Sequence, residues 1–326
     1  MQPVPGVTGF RIGFSGYSVK FSPFRPNLLA VASSQYFGIS GNGRISVVDT
    51  DRGFAPVAEF GTRDGCFDVS FSEASESVIA VANGDGGVRL FDLSHPGDRP
   101  VALLSGHSAE TYSVDWNAQA KHLLCSASWD KSVRVWDTVT SKEVFAGHHS
   151  GICYEAKWSP RNGSILASVS GDWSVKIFDV SSKQAVHAFP AHAGEVLSVD
   201  WNKYRDNIVV TGATDRCVKV WDLRNSSQPI SIFDGHQLAV RRVRFSPHSD
   251  SLILSCSYDM SVKLWSLATA ALVESYDHHT EFVIGIDFSN FKRDLVASTA
   301  WDRKVALWTL GAPRVPKRQV PTTARV

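Results

Sequence analysis

The chain has 326 residues, 43% hydrophobic and 20% charged, which supplies a full core and excludes a wholly disordered chain. Its 33 Lys and Arg against 32 Asp and Glu leave a formal charge of +1, which argues against the basic footprint of a nucleic-acid binder. No apolar run approaches ~18 residues, so no membrane insertion is expected.

The opening MQPVPGVTGF lacks the basic and apolar blocks of a secretory signal, and the closing TTARV is not a peroxisomal address, so a cytoplasmic chain is expected. Five cysteines (Cys66, Cys125, Cys153, Cys217 and Cys256) form no C-x-x-C pair. Reduced thiols are expected rather than a disulfide framework or a zinc site.

In chain order, a short strand over Thr8–Ile12 comes first, and a repeat follows. Phe91-Asp92, Trp136-Asp137, Phe178-Asp179, Trp221-Asp222, Trp265-Ser266 and Trp308-Thr309 recur in steps of 45, 42, 43, 44 and 43 residues. Val48-Asp49 is a degenerate earlier copy, which makes seven. In step with these run Phe21, Phe71, Trp116, Trp158, Trp201, Phe245 and Phe288, each closing an alternating stretch such as YSVDW. An acid stands six residues before each Trp-like position, at Asp85, Asp130, Asp172, Asp215, Asp259 and Asp302, with Asn42 in the first copy. A His stands 29 before it at His107, His149, His192, His236 and His279.

Alternation of period two predicts strands, and the acids fall in short polar turns such as WDKS and TDRC. Four strands per ~43-residue copy and seven copies predict a ring that leaves few exposed edges. These motifs resemble WD40 repeats. The expected fold is all-β, a seven-bladed WD40 β-propeller spanning residues 1–310. The last copy lacks its outer strand, which Thr8–Ile12 can supply, so the N-terminal strand is expected to close the ring. Residues 311–326 are expected to be a flexible tail, Pro-containing and basic through Arg314, Lys317, Arg318 and Arg325.

The polar repeats invite a hydrolase reading, but they recur at one phase in several blades, as catalytic triads do not. In the resembled family they form a buried tetrad of indole, hydroxyl, imidazole and carboxylate. His107, Ser128, Asp130 and Trp136 are expected to be one such set, and His236, Ser257, Asp259 and Trp265 another. Gaps are expected at Ala213, Ala300 and Phe178. No enzyme activity, cofactor or metal is expected: His148-His149 and His278-His279 are in phase with the tetrad, and Gly41-Asn42-Gly43 and Gly84-Asp85-Gly86-Gly87 are turns rather than phosphate loops. Alternation is expected to divide the short basic run Arg241, Arg242 and Arg244 between the two faces of a strand, so that it is not one concentrated patch.

Partners of such propellers dock on the narrower top face around the channel mouth. The residue before the turn acid supplies Trp129, Tyr258 and Trp301. The third and fifth residues after the landmark His supply Glu110, Glu195 and Phe282, then Tyr112, Tyr154 and Arg241. Tyr17 and Phe67 share the last phase. Aromatics at these positions suit an interface, and the two carboxylates suit a cationic ligand.

Further segments narrow the resemblance. SSQYFGISGNGRISVVD, GCFDVSFSE, VTGATDRCVKVWDLRN, AVRRVRFSPH and DHHTEFVIGIDFS together resemble the peroxin seven family, cytosolic receptors for the type 2 peroxisomal targeting signal. The family's ligand is an N-terminal nonapeptide: Arg or Lys, an aliphatic residue, five variable residues, His or Gln, then Leu or Ala. Positions one, two, eight and nine share one face of a helix. The resemblance implies that such helices bind the top face. It also implies a peroxin five-related co-receptor, peroxisomal docking machinery as a further partner, and cycling between cytoplasm and peroxisome. No nucleic acid is expected as a partner. The alternative reading is a WD-repeat scaffold or substrate adaptor of a ubiquitin ligase or chromatin complex, which shares the fold.

Overall fold

The computed structural model describes residues 6–95, 97 and 99–311. The expected basic tail, apart from Gly311, lies outside them. The described chain forms seven four-stranded antiparallel sheets, and in six of them the strands follow one another in chain order from the inside out. The third blade is typical: Thr111–Trp116 innermost, then Leu123–Ser128, Ser132–Asp137 and Lys142–His148. The innermost strands of the other blades are Ser15–Phe21, Cys66–Phe71, Cys153–Trp158, Val196–Trp201, Val240–Phe245 and Val283–Phe288. Each packs on its two neighbours, so the seven surround a central channel.

The exception in chain order makes the ring. Val7–Arg11 pairs antiparallel with Lys304–Trp308 as the outermost strand of the seventh blade. The Ile12 amide adds a hydrogen bond to the Arg303 carbonyl, 2.9 Å. Gly9 is fitted closely there, since a Cβ on it would lie 2.2 Å from the Val305 carbonyl oxygen.

The core consists of apolar layers between adjacent blades. Phe60, Phe71, Ile79 and Phe91 belong to one such layer, and Trp201, Trp221 and Phe189 to another. Their alternation along each strand buries one apolar set per face. A polar ladder also ties neighbours together. The acid before the closing aromatic accepts a backbone N–H from the next blade: Trp158 to Asp115 at 2.9 Å, Phe245 to Asp200 at 2.8 Å, and Phe21 to Asp287 at 2.9 Å. The last of these crosses the closure between the seventh and first blades.

The turn after each second strand explains the repeated acid. The residue following it is left-handed, with φ 70° at Lys131, 71° at Arg216 and 63° at Arg303. Asp130 Oδ1 accepts the Ser132 amide two residues on, at 2.9 Å, which holds the chain in that turn.

Candidate functional site

The landmark His and Asp residues are engaged within their own blades. His107 Nδ1 lies 2.9 Å from Asp130, and its Nε2 lies 2.8 Å from Ser126 Oγ, which also accepts Trp136 Nε1–H at 2.8 Å. The hydroxyl is therefore Ser126 and not Ser128. Ser128 donates instead to the Ala109 carbonyl and accepts the Asp130 amide. The sixth blade repeats this: Ser255 joins His236 to Trp265, while Ser257 donates to the Leu238 carbonyl. Both candidates lie on one face of the strand, so alternation alone does not choose between them.

The repeat itself does choose. Ser126, Ser168, Thr211, Ser255 and Ser298 carry a hydroxyl in all five His-containing copies, whereas the other phase reads Ser128, Ser170, Ala213, Ser257 and Ala300. Ala213 and Ala300 are consequently no gaps. Phe178 is one, and in the seventh blade Trp308 Nε1 lacks a partner among the described residues while Ser298 still meets His279 at 2.7 Å. In the second blade, which has no landmark His, Arg89 pairs with Asp85. Burial lowers the pKa of His149 to about 4 against the opposing pull of Asp172, and burial likewise lowers those of His192 and His236.

The channel is crossed by ion pairs. Arg242 meets Asp68 at 3.0 Å and Arg244 meets Glu155 at 2.7 Å. Burial, the largest effect, would raise the Asp68 pKa, but the Arg242 guanidinium together with Lys157, Lys20 and the Ser18 hydroxyl outweighs it and leaves the carboxyl at about 2. Alternation does not divide the run: Arg242 and Arg244, two residues apart, share the channel side of their strand, and a register shift between Val240 and Arg242 brings Arg241 to that side as well. Arg241, Arg242 and Arg244 are all buried.

Above these pairs, at the end where the inner strands begin, the predicted top-face residues converge. Tyr17, Phe67 and Ile284 are buried, and Tyr112, Tyr258, Phe282 and Trp301 pack on them as one cluster. Ring centroids lie 5.1 Å apart for Tyr17–Phe67, 5.0 Å for Phe67–Tyr112, 4.9 Å for Tyr258–Phe282 and 5.2 Å for Phe282–Trp301. Trp129, 38% exposed, stacks on Tyr112 at 5.5 Å, and Tyr154 meets Tyr112 edge-on at 6.2 Å. The buried Arg241 guanidinium lies over the Tyr112 ring at 4.8 Å. Tyr17, Phe67 and Arg241 thus form the floor of the surface and do not project from it.

The two top-face phases are joined by the backbone. The amides of Trp129, Tyr258 and Trp301 donate to the carbonyls of Glu110, Ala239 and Phe282, at 3.0–3.1 Å. Glu110 and Glu195 are half-buried at this rim, and Tyr154 donates its hydroxyl to Glu195 at 2.8 Å. An aromatic bowl with carboxylates on its rim can take an amphipathic, cation-bearing segment. Sequence reasoning missed one part of it, the loop of residues 35–42, whose Phe37 ring lies 5.2 Å from Trp301.

Comparison with known proteins agrees with this architecture. The family described as WD domain, G-beta repeat matches residues 98–137 and 270–309, and that described as EIPR1 beta-propeller matches 140–265. Three similar relatives are each named peroxisomal targeting signal 2 receptor. The Saccharomyces cerevisiae protein is 32% identical over 245 residues, 65% of this chain and 65% of its own. The Dictyostelium discoideum protein is 43% identical over 130 residues, 39% of this chain and 41% of its own. The Homo sapiens protein is 40% identical over 140 residues, 42% of this chain and 43% of its own. The aligned stretches therefore span between 41% and 65% of these relatives' lengths.

Proposed function

From the premise that the chain is a seven-bladed WD40-repeat β-propeller resembling the peroxisomal targeting signal 2 receptors, we propose that it is an import receptor whose top face binds the type 2 targeting-signal helix. The observation that carries this reading is the single aromatic surface at the channel mouth, with Glu110 and Glu195 on its rim. Trp129, Tyr258, Trp301, Phe282, Tyr112 and Tyr154 offer half-buried rings to the aliphatic side chains of a helix. Tyr17, Phe67 and Arg241 hold those rings in place.

The rim carboxylates take the leading Arg or Lys, and a charge-assisted hydrogen bond in a partly desolvated groove is stronger than a neutral one. The helix binds as an amphipathic segment in an apolar groove, anchored by side chains on one face. Catalysis has no part in this reading, since the imidazoles and carboxylates that invited it hydrogen-bond one another within the blades. A peroxin five-related co-receptor and the docking machinery complete delivery, with the receptor cycling between cytoplasm and peroxisome.

The test is a pull-down from cytosol with the full chain, with and without excess synthetic type 2 signal peptide. Release of peroxisomal matrix enzymes by the peptide is the expected result. Capture of ubiquitin-ligase or chromatin components that the peptide does not displace would favour the adaptor reading.

A further inference from the structure

The turn between the second and third strands is three or four residues long in six blades, as at 129–131 and 84–87, but spans residues 35–42 in the first. This is the same turn that presents Trp129, Tyr258 and Trp301 elsewhere, so the enlargement belongs to the top face. It carries three large apolar side chains largely in solvent: Tyr36 is 69% exposed, Phe37 49% and Ile39 87%.

The loop is fastened in place. Tyr17 Oη donates to the Phe37 carbonyl at 2.5 Å, Gln35 Oε1 accepts the Asn42 amide at 3.0 Å, and the Phe37 ring rests beside Trp301. Tyr36 and Phe37 are consecutively left-handed, with φ 45° and 56°. Aromatic residues adopt that conformation at a cost, and such strain collects at ligand clamps and switch regions. Here the fold holds a strained backbone and uses it to keep apolar side chains out of the core.

We propose that the 35–42 loop is a clasp for the aliphatic residue at position nine of the signal helix, whose leading cation lies at Glu195 on the far side of the mouth. This rests on the receptor reading above. Glu195 stands at the junction of the fourth and fifth blades, where Tyr154 holds it, and that junction is diametrically opposite the first blade of seven. The floor rings of Tyr17, Phe67, Tyr112 and Tyr154 lie 5.0–6.2 Å apart from blade to blade, which over seven blades gives a floor roughly 12 Å across, comparable to the rise along a nine-residue helix. Glu195 and the loop stand at the rim of that floor, within reach of the long terminal side chains. A helix that crosses the mouth with its cation at Glu195 therefore turns its far end toward Tyr36, Phe37 and Ile39. The acid and the apolar clasp also set its polarity, because the reversed helix would bring its cation to an apolar loop.

The experiment is a double-mutant cycle by fluorescence anisotropy with the full chain. Its partners are the parent, Tyr36→Ser and Ile39→Ser, and labelled signal peptides with leucine or alanine at position nine. Thermal melts of all three proteins accompany it. Unchanged melting is expected, with at least a ten-fold loss for each variant on the leucine peptide and less than a two-fold loss on the alanine peptide. Parent-like binding by both variants, or equal losses on both peptides, would overturn the clasp while leaving the receptor reading intact. Failure of the parent to bind either peptide would overturn the receptor reading and the clasp together.

Discussion

Arg242 and Asp68 meet at 3.0 Å inside the channel although they belong to the sixth and second blades, and their side chains are 1% and 0% exposed. A buried pair of this kind costs desolvation on both sides, so its net worth is small, but removing one partner leaves an uncompensated charge. Asp68→Asn is therefore expected to lower unfolding free energy by about 3–5 kcal/mol. Adding Arg242→Met to it should recover part of the loss. Urea unfolding of the three variants measures this, and a double variant as unstable as the sum of the singles would show that the two residues act independently.

Ser126 and Ser128 separate by role. Ser126→Ala strands both the His107 Nε2 and the Trp136 Nε1–H, whereas Ser128→Ala frees only turn groups near the surface. At about 1–3 kcal/mol for each buried unsatisfied group, Ser126→Ala should cost about 2–6 kcal/mol and Ser128→Ala less than half of that. Denaturant melts decide it, and equal losses would count against Ser126 as the hub.

The buried imidazoles make the fold acid-sensitive. The folded pKa of His149, about 4, lies below its ordinary 6.5, so between these values the unfolded chain binds more protons. Stability therefore rises with pH across that window and is lost as pH falls from about 6.5 toward 4. His192 and His236 shift in the same direction and add to the slope. Melting temperature between pH 7.5 and 4.5 should decline, with the fall beginning below about pH 6.5. A flat profile would mean that these rings are not held neutral.

The ring closure can be tested by substitution as well as by deletion. Gly9→Val places a branched side chain against the Val305 carbonyl and should loosen the Val7–Arg11 strand from Lys304–Trp308, exposing an unpaired edge. Removal of residues 1–12 should lower the melting temperature by many degrees, with Gly9→Val falling in between. If the truncated chain melts like the parent, the closure contributes nothing to stability.

How much of this was legible in the sequence follows from what a repeat can encode. Seven copies with Trp, Asp and His landmarks fix blade number, strand order and the need for Thr8–Ile12 to complete the seventh sheet, because each copy must pair its own edges. The same repeat brings Glu110 from one phase, and Trp129, Tyr258 and Trp301 from another, to one face. Departures from periodicity were not legible in this way. The register shift between Val240 and Arg242 brings Arg241 to the channel side beside Arg242 and Arg244, where strict alternation sends it to the opposite face. The 35–42 loop lies where the first copy is most degenerate, and its two consecutive left-handed residues, Tyr36 and Phe37, replace the single left-handed residue of the corresponding turn in the other copies. The choice of Ser126 over Ser128 was available from comparing all five copies, but not from any one.

Recognition of a cationic signal helix at the top face is tested most directly by fluorescence anisotropy of a labelled type 2 signal peptide against the parent, Glu110→Lys and Glu195→Lys, at low and moderate salt. The account predicts that charge reversal weakens the peptide at least ~10-fold, equivalent to about 1.4 kcal/mol. The loss should be partly recovered when the leading Arg of the peptide is replaced by Glu. Parent-like affinity in both variants, with no response to the peptide's leading charge, would contradict it.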